Sequence, residues 1–269
     1  MWGLRIVLLG YNIFMKKLVF SILFLFILAS CAECKQVLPE NIVSSTIKIN
    51  AVATGEKGKN FFYCEGTQKC STEDFVKEYY KKQGYNVMRG EVSVWQGFYA
   101  LAFFDEIYCK HNFDFDGDLP RHFFENDYLY LSRKKMFDDK FNYLLSADIS
   151  KFINSQLDKY AATSSRLLHD AKIENYIDCT DYFYSDVVQE FLKRIDSKTF
   201  AQVVYKIAQN PDQNRAGIPD YVVWNDKELI FIEVKRKNEN LREKQIEWAD
   251  FLIKNNIPYK VVRVNSIKE

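Results

Sequence analysis

Histidine is scarce in this chain. The three present, His111, His122 and His169, have no mutual spacing that suits a metal site. The six cysteines carry no zinc-like spacing either; the one C-x-x-C pair, Cys31 and Cys34, falls at the end of an N-terminal apolar segment. No Gly-rich phosphate loop and no serine-nucleophile motif occurs, which removes nucleotide-cradling loops and serine hydrolysis from the chemistry to be considered. Bulk charge is nearly absent: 37 basic residues stand against 36 acidic ones. It identifies no partner, so any affinity for nucleic acid must come from a local patch. Neither an internal repeat nor a low-complexity linker divides the 269 residues.

What is there is a core. Apolar residues make up 48 % and aromatics 16 % of the chain, the composition of a globular protein. The length suits one large domain, or a catalytic domain with helical additions.

The N-terminus stands apart. Lys16-Lys17 gives a basic start, Leu18 to Leu28 an apolar run, and Leu28-Ala29-Ser30-Cys31 small residues ending at a cysteine. Met15 opens the pattern, which places residues 1–14 as an upstream extension. The segment resembles a bacterial lipoprotein signal, with Cys31 as the lipidated residue; a plain signal peptide or an anchor helix is the alternative. The run is short for a spanning helix, which needs about 20 residues. All three readings place the rest of the chain outside the cytoplasm; the lipoprotein and anchor-helix readings hold it in the cell envelope, at the periplasm or outer membrane, tethered to a membrane by its N-terminus. Loss of residues 1–30 removes Arg5, Lys16 and Lys17, leaving 34 basic residues against 36 acidic ones. In an oxidising compartment Cys64 and Cys70 can close a short loop around Glu65-Gly66-Thr67, with two free thiols as an equal alternative. Cys109 and Cys179 lie in apolar surroundings suited to a core.

Four regions are expected: an export segment over 1–31, a tether or weak strands over 32–70, a helical part over 71–196 and a catalytic core over 197–269. Ser71-Thr72-Glu73-Asp74 is a helix start and Gly84 its stop. Val92 to Tyr108 has the length and apolar content of one buried helix. Residues 110–120 form a loop. Residues 121–195 read as helical, with breaks near Ser146 and Thr180. A further helix starts at Ser197 and ends near Asn210-Pro211. The pattern then turns to strands at Ile218–Trp224 and Glu228–Lys235, a helix at Leu241–Lys254 and a last strand at Tyr259–Val264. In the second strand Ile230, Ile232 and Val234 alternate with Phe231, Glu233 and Lys235.

A turn at Asn225-Asp226-Lys227 lays Asp220 beside Glu233 across a hairpin. Two carboxylates on neighbouring strands can share one hard divalent cation, Mg2+ or Mn2+. Lys235 points to the same face as Glu233, two residues away. There it can orient an attacking water or stabilise phosphate charge. These are the parts for hydrolysing a phosphodiester. A solvent-facing hairpin carrying an incidental acid–base pair is the plain alternative. Against it stand Gly217 and Pro219, which set an unusual backbone just before Asp220, and the aliphatic opposite face of the Glu233 strand.

The stretch Arg215-Ala216-Gly217-Ile218-Pro219-Asp220-Tyr221-Val222-Val223-Trp224, then Glu233-Val234-Lys235, then Gln245 and Trp248, resembles the VRR-NUC domain of the PD-(D/E)XK nuclease superfamily. That resemblance implies an α/β, restriction-endonuclease-like core, a small mixed sheet flanked by helices, beside the helical N-terminal part. It implies Asp220 and Glu233 as metal ligands, Lys235 as the catalytic lysine and Gln245 as a supporting residue. Upstream, Gly84-Tyr85, Gly90-Glu91 and Phe98 to Asp105 are similar to the nuclease region of the Fanconi-associated nuclease family, and Tyr128 to Phe141 with Arg133 matches it more loosely. The similarity implies Glu91 as an additional metal ligand. Tyr221 stands where the family usually has an aliphatic residue, and the chain has no room for that family's large N-terminal regions.

The expectation is therefore a DNA nuclease using Mg2+ or Mn2+, with Asp220, Glu233, Glu91 and the Val234 carbonyl on the metal. Lys237 and Arg215 are expected to contact phosphate; Lys235-Arg236-Lys237, Arg242 and Lys244 form the basic cluster beside them. Nothing in the sequence separates RNA from DNA as substrate. The rival from another class is a non-enzymatic surface lipoprotein that binds DNA or a partner through an inactive scaffold. Asp114, Asp116, Asp118 and Glu125 suggest a calcium loop, but Leu119 stands where glycine is needed.

Overall fold

The computed structural model describes residues 38–52, 62–64, 69–90, 92–108, 127–170 and 179–267. The export segment with Cys31, the candidate ligand Glu91, and the loop with Cys109, His111, Asp114, Asp116, Asp118, His122 and Glu125 lie outside the described residues.

In chain order the elements are α1 (Glu40–Ser44), β1 (Thr46–Val52), β2 (Phe62–Tyr63), β3 (Lys69–Cys70), α2 (Thr72–Lys82), β4 (Asn86–Arg89), α3 (Val92–Ala102), α4 (Phe104–Tyr108), α5 (Asp127–Ser132), α6 (Lys134–Leu144), α7 (Ile149–Asp170), α8 (Cys179–Tyr184), α9 (Asp186–Arg194), α10 (Ser197–Gln209), α11 (Pro211–Asn214), β5 (Tyr221–Trp224), β6 (Leu229–Arg236), α12 (Glu243–Lys254) and β7 (Tyr259–Ile267).

Local chemistry sets several boundaries. The Ser71 hydroxyl accepts from the Asp74 amide at 3.0 Å and starts α2. Gly84, at φ +82°, turns the chain out of it. The Asp196 carboxylate accepts from the Thr199 amide at 2.8 Å and starts α10.

Five strands form a mixed sheet in the order β1-β7-β6-β5-β4, with β1–β7 and β6–β7 parallel and the other two pairs antiparallel. Two of these strands come from outside the C-terminal third. β1, in the stretch read as a tether or weak strands, pairs along its whole length with β7. β4 escapes the sequence pattern because it is four residues long and lies against the far side of β5.

Strand β6 departs from the expected alternation. Six of its eight residues are buried, on both faces. Ile230, Ile232 and Val234 pack with Val76 and Tyr80 of α2, Phe62 of β2 and Val262 and Val264 of β7. On the other face Phe231 stacks on Trp95 of α3 with ring centroids 5.7 Å apart. Trp95 in turn meets Phe191 of α9 and Phe200 of α10. Helices therefore cover both sides of the sheet, and the polar residues of β6 sit inside that sandwich.

One helical boundary also differs. The Val92–Tyr108 stretch is interrupted at Phe103, which is buried against Phe137 at 5.1 Å. The expected break near Thr180 abuts residues 171–178, which lie outside the described residues; α8 and α9 are further separated at Ser185, the N-cap of α9. The expected break near Ser146 is present between α6 and α7.

Cys64 and Cys70 form a disulfide that closes the β2–β3 hairpin. It holds Phe62, 2 % exposed, against Phe75 of α2 at 5.6 Å. Replacing both cysteines by serine is expected to cost about 2 kcal/mol, the loop-closure entropy of so short a ring. Urea unfolding of the variant with and without a dithiol reductant checks it; the wild type should lose the same stability on reduction, and the variant none.

Candidate active site

The site is assembled by the β5–β6 hairpin. The Asn225 side-chain carbonyl accepts from the Lys227 and Glu228 amides at 2.9 and 3.1 Å, and the Asn225 amide donates to the Glu228 carbonyl at 3.0 Å. This tight turn fixes the register Tyr221↔Ile232 through Trp224↔Leu229. One step further along that register Asp220 faces Glu233, as the sequence spacing predicts.

Two glycines bring backbone close around Asp220. Gly217 has φ +84°, and a Cβ there would lie 2.5 Å from the Lys244 carbonyl carbon and oxygen at the start of α12. Gly90, at the end of β4, donates its amide to the Asp220 carbonyl at 2.8 Å, and a Cβ there would lie 2.4 Å from the Pro219 oxygen. Gly217→Ala combines left-handed strain with a backbone clash and is expected to destabilise by about 3 kcal/mol. Urea unfolding checks it; a loss under about 1 kcal/mol would show that the chain can retreat from Lys244.

The side chains converge as follows. Asp220 Oδ2 accepts from the Val234 amide at 2.7 Å, so Val234 fixes the carboxylate with its N–H. Glu233 Oε1 accepts from Lys235 Nζ at 2.6 Å and from Gln245 Nε2 at 2.6 Å. Gln245 is held by its own carbonyl oxygen, which accepts from the Arg242 amide at 2.9 Å. Glu233, Lys235 and Gln245 are 1 %, 5 % and 3 % exposed. Both donors reach the same carboxylate oxygen. Glu233 Oε2 is buried with no hydrogen-bond partner. Burial first, and the charge of Asp220 second, push the Glu233 carboxyl up to about 8, outweighing the pull of Lys235 and Arg242.

This arrangement tests whether a metal fits. A buried carboxylate oxygen without a donor is costly, and a second acid beside it makes the cost greater. A hard divalent cation removes both penalties, and oxygen donors are its chemistry. Asp220 and Glu233 fit that role. Among the described residues no third carboxylate, histidine or cysteine joins them into a larger cluster. Glu91, outside those residues, follows directly on Gly90.

Other expected residues fall in varied places. Arg215 is ion-paired with Asp212 at 2.9 Å. Lys237 is exposed on the loop after β6. Trp248 donates its indole N–H to the Asn214 carbonyl at 3.1 Å, tying α12 to the segment before Gly217. Arg133 donates to the carbonyls of Glu106 and Ile107 at 2.8 and 2.6 Å, closing the end of α4. Sequence reasoning missed Glu239, whose carboxylate lies 3.6 Å from Lys235 Nζ. It sits in a loop, where no periodicity marks it.

The C-terminal part of the chain, which carries the hairpin and its acid pair, is similar to a known domain: residues 160–266 match the family model of the VRR-NUC domain. The similar proteins are the Fanconi-associated nuclease 1 homologs. The one from Caenorhabditis briggsae is 24 % identical over 215 residues, covering 74 % of this chain and 23 % of that protein. Fanconi-associated nuclease 1 of Homo sapiens is 24 % identical over 259 residues, covering 88 % of this chain and 25 % of that protein. Crystal structures of paFAN1 bound to 1-nucleotide and 2-nucleotide 5′-flap DNA with a gap share the fold, with TM-scores of 0.67 and 0.65 at 16 % and 15 % identity. They cover 88 % of this chain and 40 % of theirs. The chain thus spans about a quarter of the length of the curated relatives it matches.

Proposed function

We propose that this chain is a nuclease, a hydrolase that cleaves phosphodiester bonds in DNA with a divalent cation, Mg2+ or Mn2+. The observation that carries the reading is the orphaned Glu233 Oε2 beside Asp220, inside a cage whose donors all serve Oε1. Such a pair of acids is poor structural material and good metal-binding material. When bound, the cation supplies Lewis acidity and a more acidic water. Asp220, Glu233 and the Val234 carbonyl would hold it, with Glu91 as the further ligand that family similarity implies. Gln245 orients Glu233. Lys235 carries its ammonium at the same oxygen, placed to orient water or offset charge growing on the phosphate. DNA as the substrate class rests on the relatives, which are named nucleases, and on the fold shared with chains solved on flap DNA.

The decisive assay offers single-stranded, duplex and 5′-flap DNA, and RNA, to the chain from residue 32 onward, with Mg2+, Mn2+ or chelator. Expected is metal-dependent cleavage of DNA that falls by at least about 100-fold in Lys235→Ala. A folded protein that cleaves no nucleic acid would overturn the reading in favour of a binding protein on an inactive scaffold.

The proposal extends to location: an exported protein of the cell envelope, held at a membrane through lipidated Cys31. Its supports are the Lys16 to Cys31 pattern and the Cys64–Cys70 disulfide, which persists in oxidising compartments. Among the described residues no helix is long and apolar enough to cross a membrane. Metabolic lipid labelling of wild type against Cys31→Ala tests it; an uncleaved, unlabelled cytoplasmic chain would overturn it.

A further inference from the structure

Of the two donors on Glu233 Oε1, Lys235 belongs to the hairpin itself, whereas Gln245 reaches it from α12, at 2.6 Å. The direction of the Glu233 carboxylate therefore depends on how α12 is seated. We propose that Lys206 of α10 is a positioning residue for the acid pair: its ammonium, laid over two aromatic rings of α12, seats that helix and so aims Glu233 towards the cation shared with Asp220. The proposal rests on the nuclease reading.

Three observations carry it. First, Lys206 is built into the contact between α10 and α12. Its Nζ lies 5.0 Å from the centroid of the Trp248 ring and 4.7 Å from that of Phe251. The two rings stand about one turn apart on α12 and meet edge-on at 5.6 Å. Their quadrupoles attract a cation held against them. Second, no acid accounts for a lysine there. Glu247 is paired with Lys244 at 2.9 Å and Asp250 with Lys254 at 2.7 Å, and among the described residues the Lys206 ammonium has no carboxylate partner. Burial disfavours its charge and holds its proton affinity below that of an ordinary lysine. An apolar side chain would fill the place without that cost. Third, printed bonds lead from Lys206 towards both acids. The Asn214 side chain donates to the Lys206 carbonyl at 2.6 Å, and the Trp248 indole N–H donates to the Asn214 carbonyl at 3.1 Å. With the ammonium on the Trp248 ring, this circuit closes across α10, α11 and α12. Trp248 follows Gln245 by about one turn of α12. Asn214 shortly precedes Gly217, which packs against the Lys244 carbonyl and the Gln245 amide and leads into Asp220. One closed circuit thus stands beside the donor that turns Glu233 and beside the backbone that delivers Asp220. Removing a group that holds a metal ligand in place changes metal affinity or activity by about 10-fold or more.

The test measures Mn2+ affinity of the full chain in mild detergent, read from the electron paramagnetic resonance signal of the free ion. Beside it stand kcat and KM for 5′-flap DNA at saturating metal, and urea unfolding in chelator. Wild type is compared with Lys206→Gln, which removes the charge, and Lys206→Arg, whose guanidinium can lie on the same rings. Phe251→Leu removes one ring from the ammonium. Gln202→Ala is the structural control, because it removes a separate contact of α10, 2.9 Å to Asn255 at the end of α12. Expected for Lys206→Gln is about 10-fold weaker Mn2+ binding and about 10-fold lower kcat, with KM for DNA within about twofold of wild type. Phe251→Leu should fall the same way by a few-fold. Lys206→Arg should keep both quantities within about threefold of wild type. Gln202→Ala should alter neither, though its urea midpoint falls. Wild-type Mn2+ affinity and kcat in Lys206→Gln or, should that variant not fold, in Phe251→Leu would overturn the proposal and leave the nuclease standing. So would an equal loss in Gln202→Ala, since any loosening of the two helices would then do the same. A wild type that neither binds Mn2+ nor cleaves nucleic acid would overturn both.

Discussion

Replacing Glu233 with glutamine is expected to abolish cleavage while making the metal-free protein more stable. The two effects have one cause. Glutamine has the shape of the acid, and its carbonyl oxygen can continue to accept from Lys235 Nζ and Gln245 Nε2 in place of Oε1. Its amide nitrogen would occupy the place of Oε2, the buried atom with no partner, and present two donors where Asp220 now presents like charge. The Lys235 ammonium keeps acidic neighbours, with Glu239 at 3.6 Å. Replacing a buried acid whose ionisation the fold penalises and satisfying an orphaned position is worth about 1–3 kcal/mol, as seen where catalytic residues are replaced by residues the fold prefers. A neutral amide is a poor ligand for a hard divalent cation beside a single remaining carboxylate, so the rate should fall by about 1000-fold or more. The metal-induced rise in Tm should disappear with it. Urea unfolding in chelator, thermal unfolding with and without Mg2+, and single-turnover cleavage check the three parts. A variant that keeps more than about a tenth of wild-type cleavage would show that Glu233 does not hold the cation. One that loses stability in chelator would show that its carboxylate is an asset to the fold.

Much of this site was legible in the sequence because hairpin geometry is local. An Asn-Asp-Lys turn and a two-residue strand period suffice to set Asp220 against Glu233 and to place Lys235 on the Glu233 face, and the register Tyr221↔Ile232 agrees. Gly217 before Asp220 was readable as a special backbone for the same reason, and its φ of +84° agrees. What the sequence hides is whatever depends on partners far along the chain. Alternation in β6 suggests one polar face; in fact helices from both ends of the chain cover it, because the residues that bury Phe231, Trp95 among them, lie more than a hundred positions earlier. β1 has too little regular patterning to be separated from a tether until β7 is available to pair with it. The role of Gln245 came from family resemblance alone. Its physical reason is visible only once α12 is docked, with one end of the amide held by the Arg242 backbone and the other on Glu233. The place of Glu239 depends on Arg263 gathering a loop, which no local spacing announces.

The metal-free protein is expected to lose stability as pH rises from about 5 to 8, and to recover it when a divalent cation is added. Glu233 in the folded chain titrates at about 8, against 4.5 for an ordinary glutamate. Between those values the folded protein keeps a proton that the unfolded chain has released. The contribution is full below the unfolded value, declines across the window and is lost above about 8. Each pH step between the two values is worth about 1.4 kcal/mol, so the whole window spans on the order of 5 kcal/mol. Glu106, raised chiefly by burial beside Lys140, adds the same sign, so the Glu233→Gln variant is the reference that isolates the site. Asp138 and Asp148, held below the usual carboxylate range by lysine and backbone donors, act only in more acidic solution. A cation binds the ionised carboxylate, so its affinity should rise up to about tenfold for each step of one in pH until Glu233 is fully ionised, with a proton released on binding. At saturating Mg2+ the stability profile should flatten. Urea unfolding from about pH 5 to 8.5 in chelator and in Mg2+, with calorimetric titration in two buffers of different ionisation enthalpy, measures slope and proton together. A metal-free stability that is flat across this range, relative to Glu233→Gln, would mean that Lys235 and Gln245 suffice to keep Glu233 ionised in its buried place. The acid pair would then be a settled part of the structure, without the unmet demand from which a metal centre is inferred.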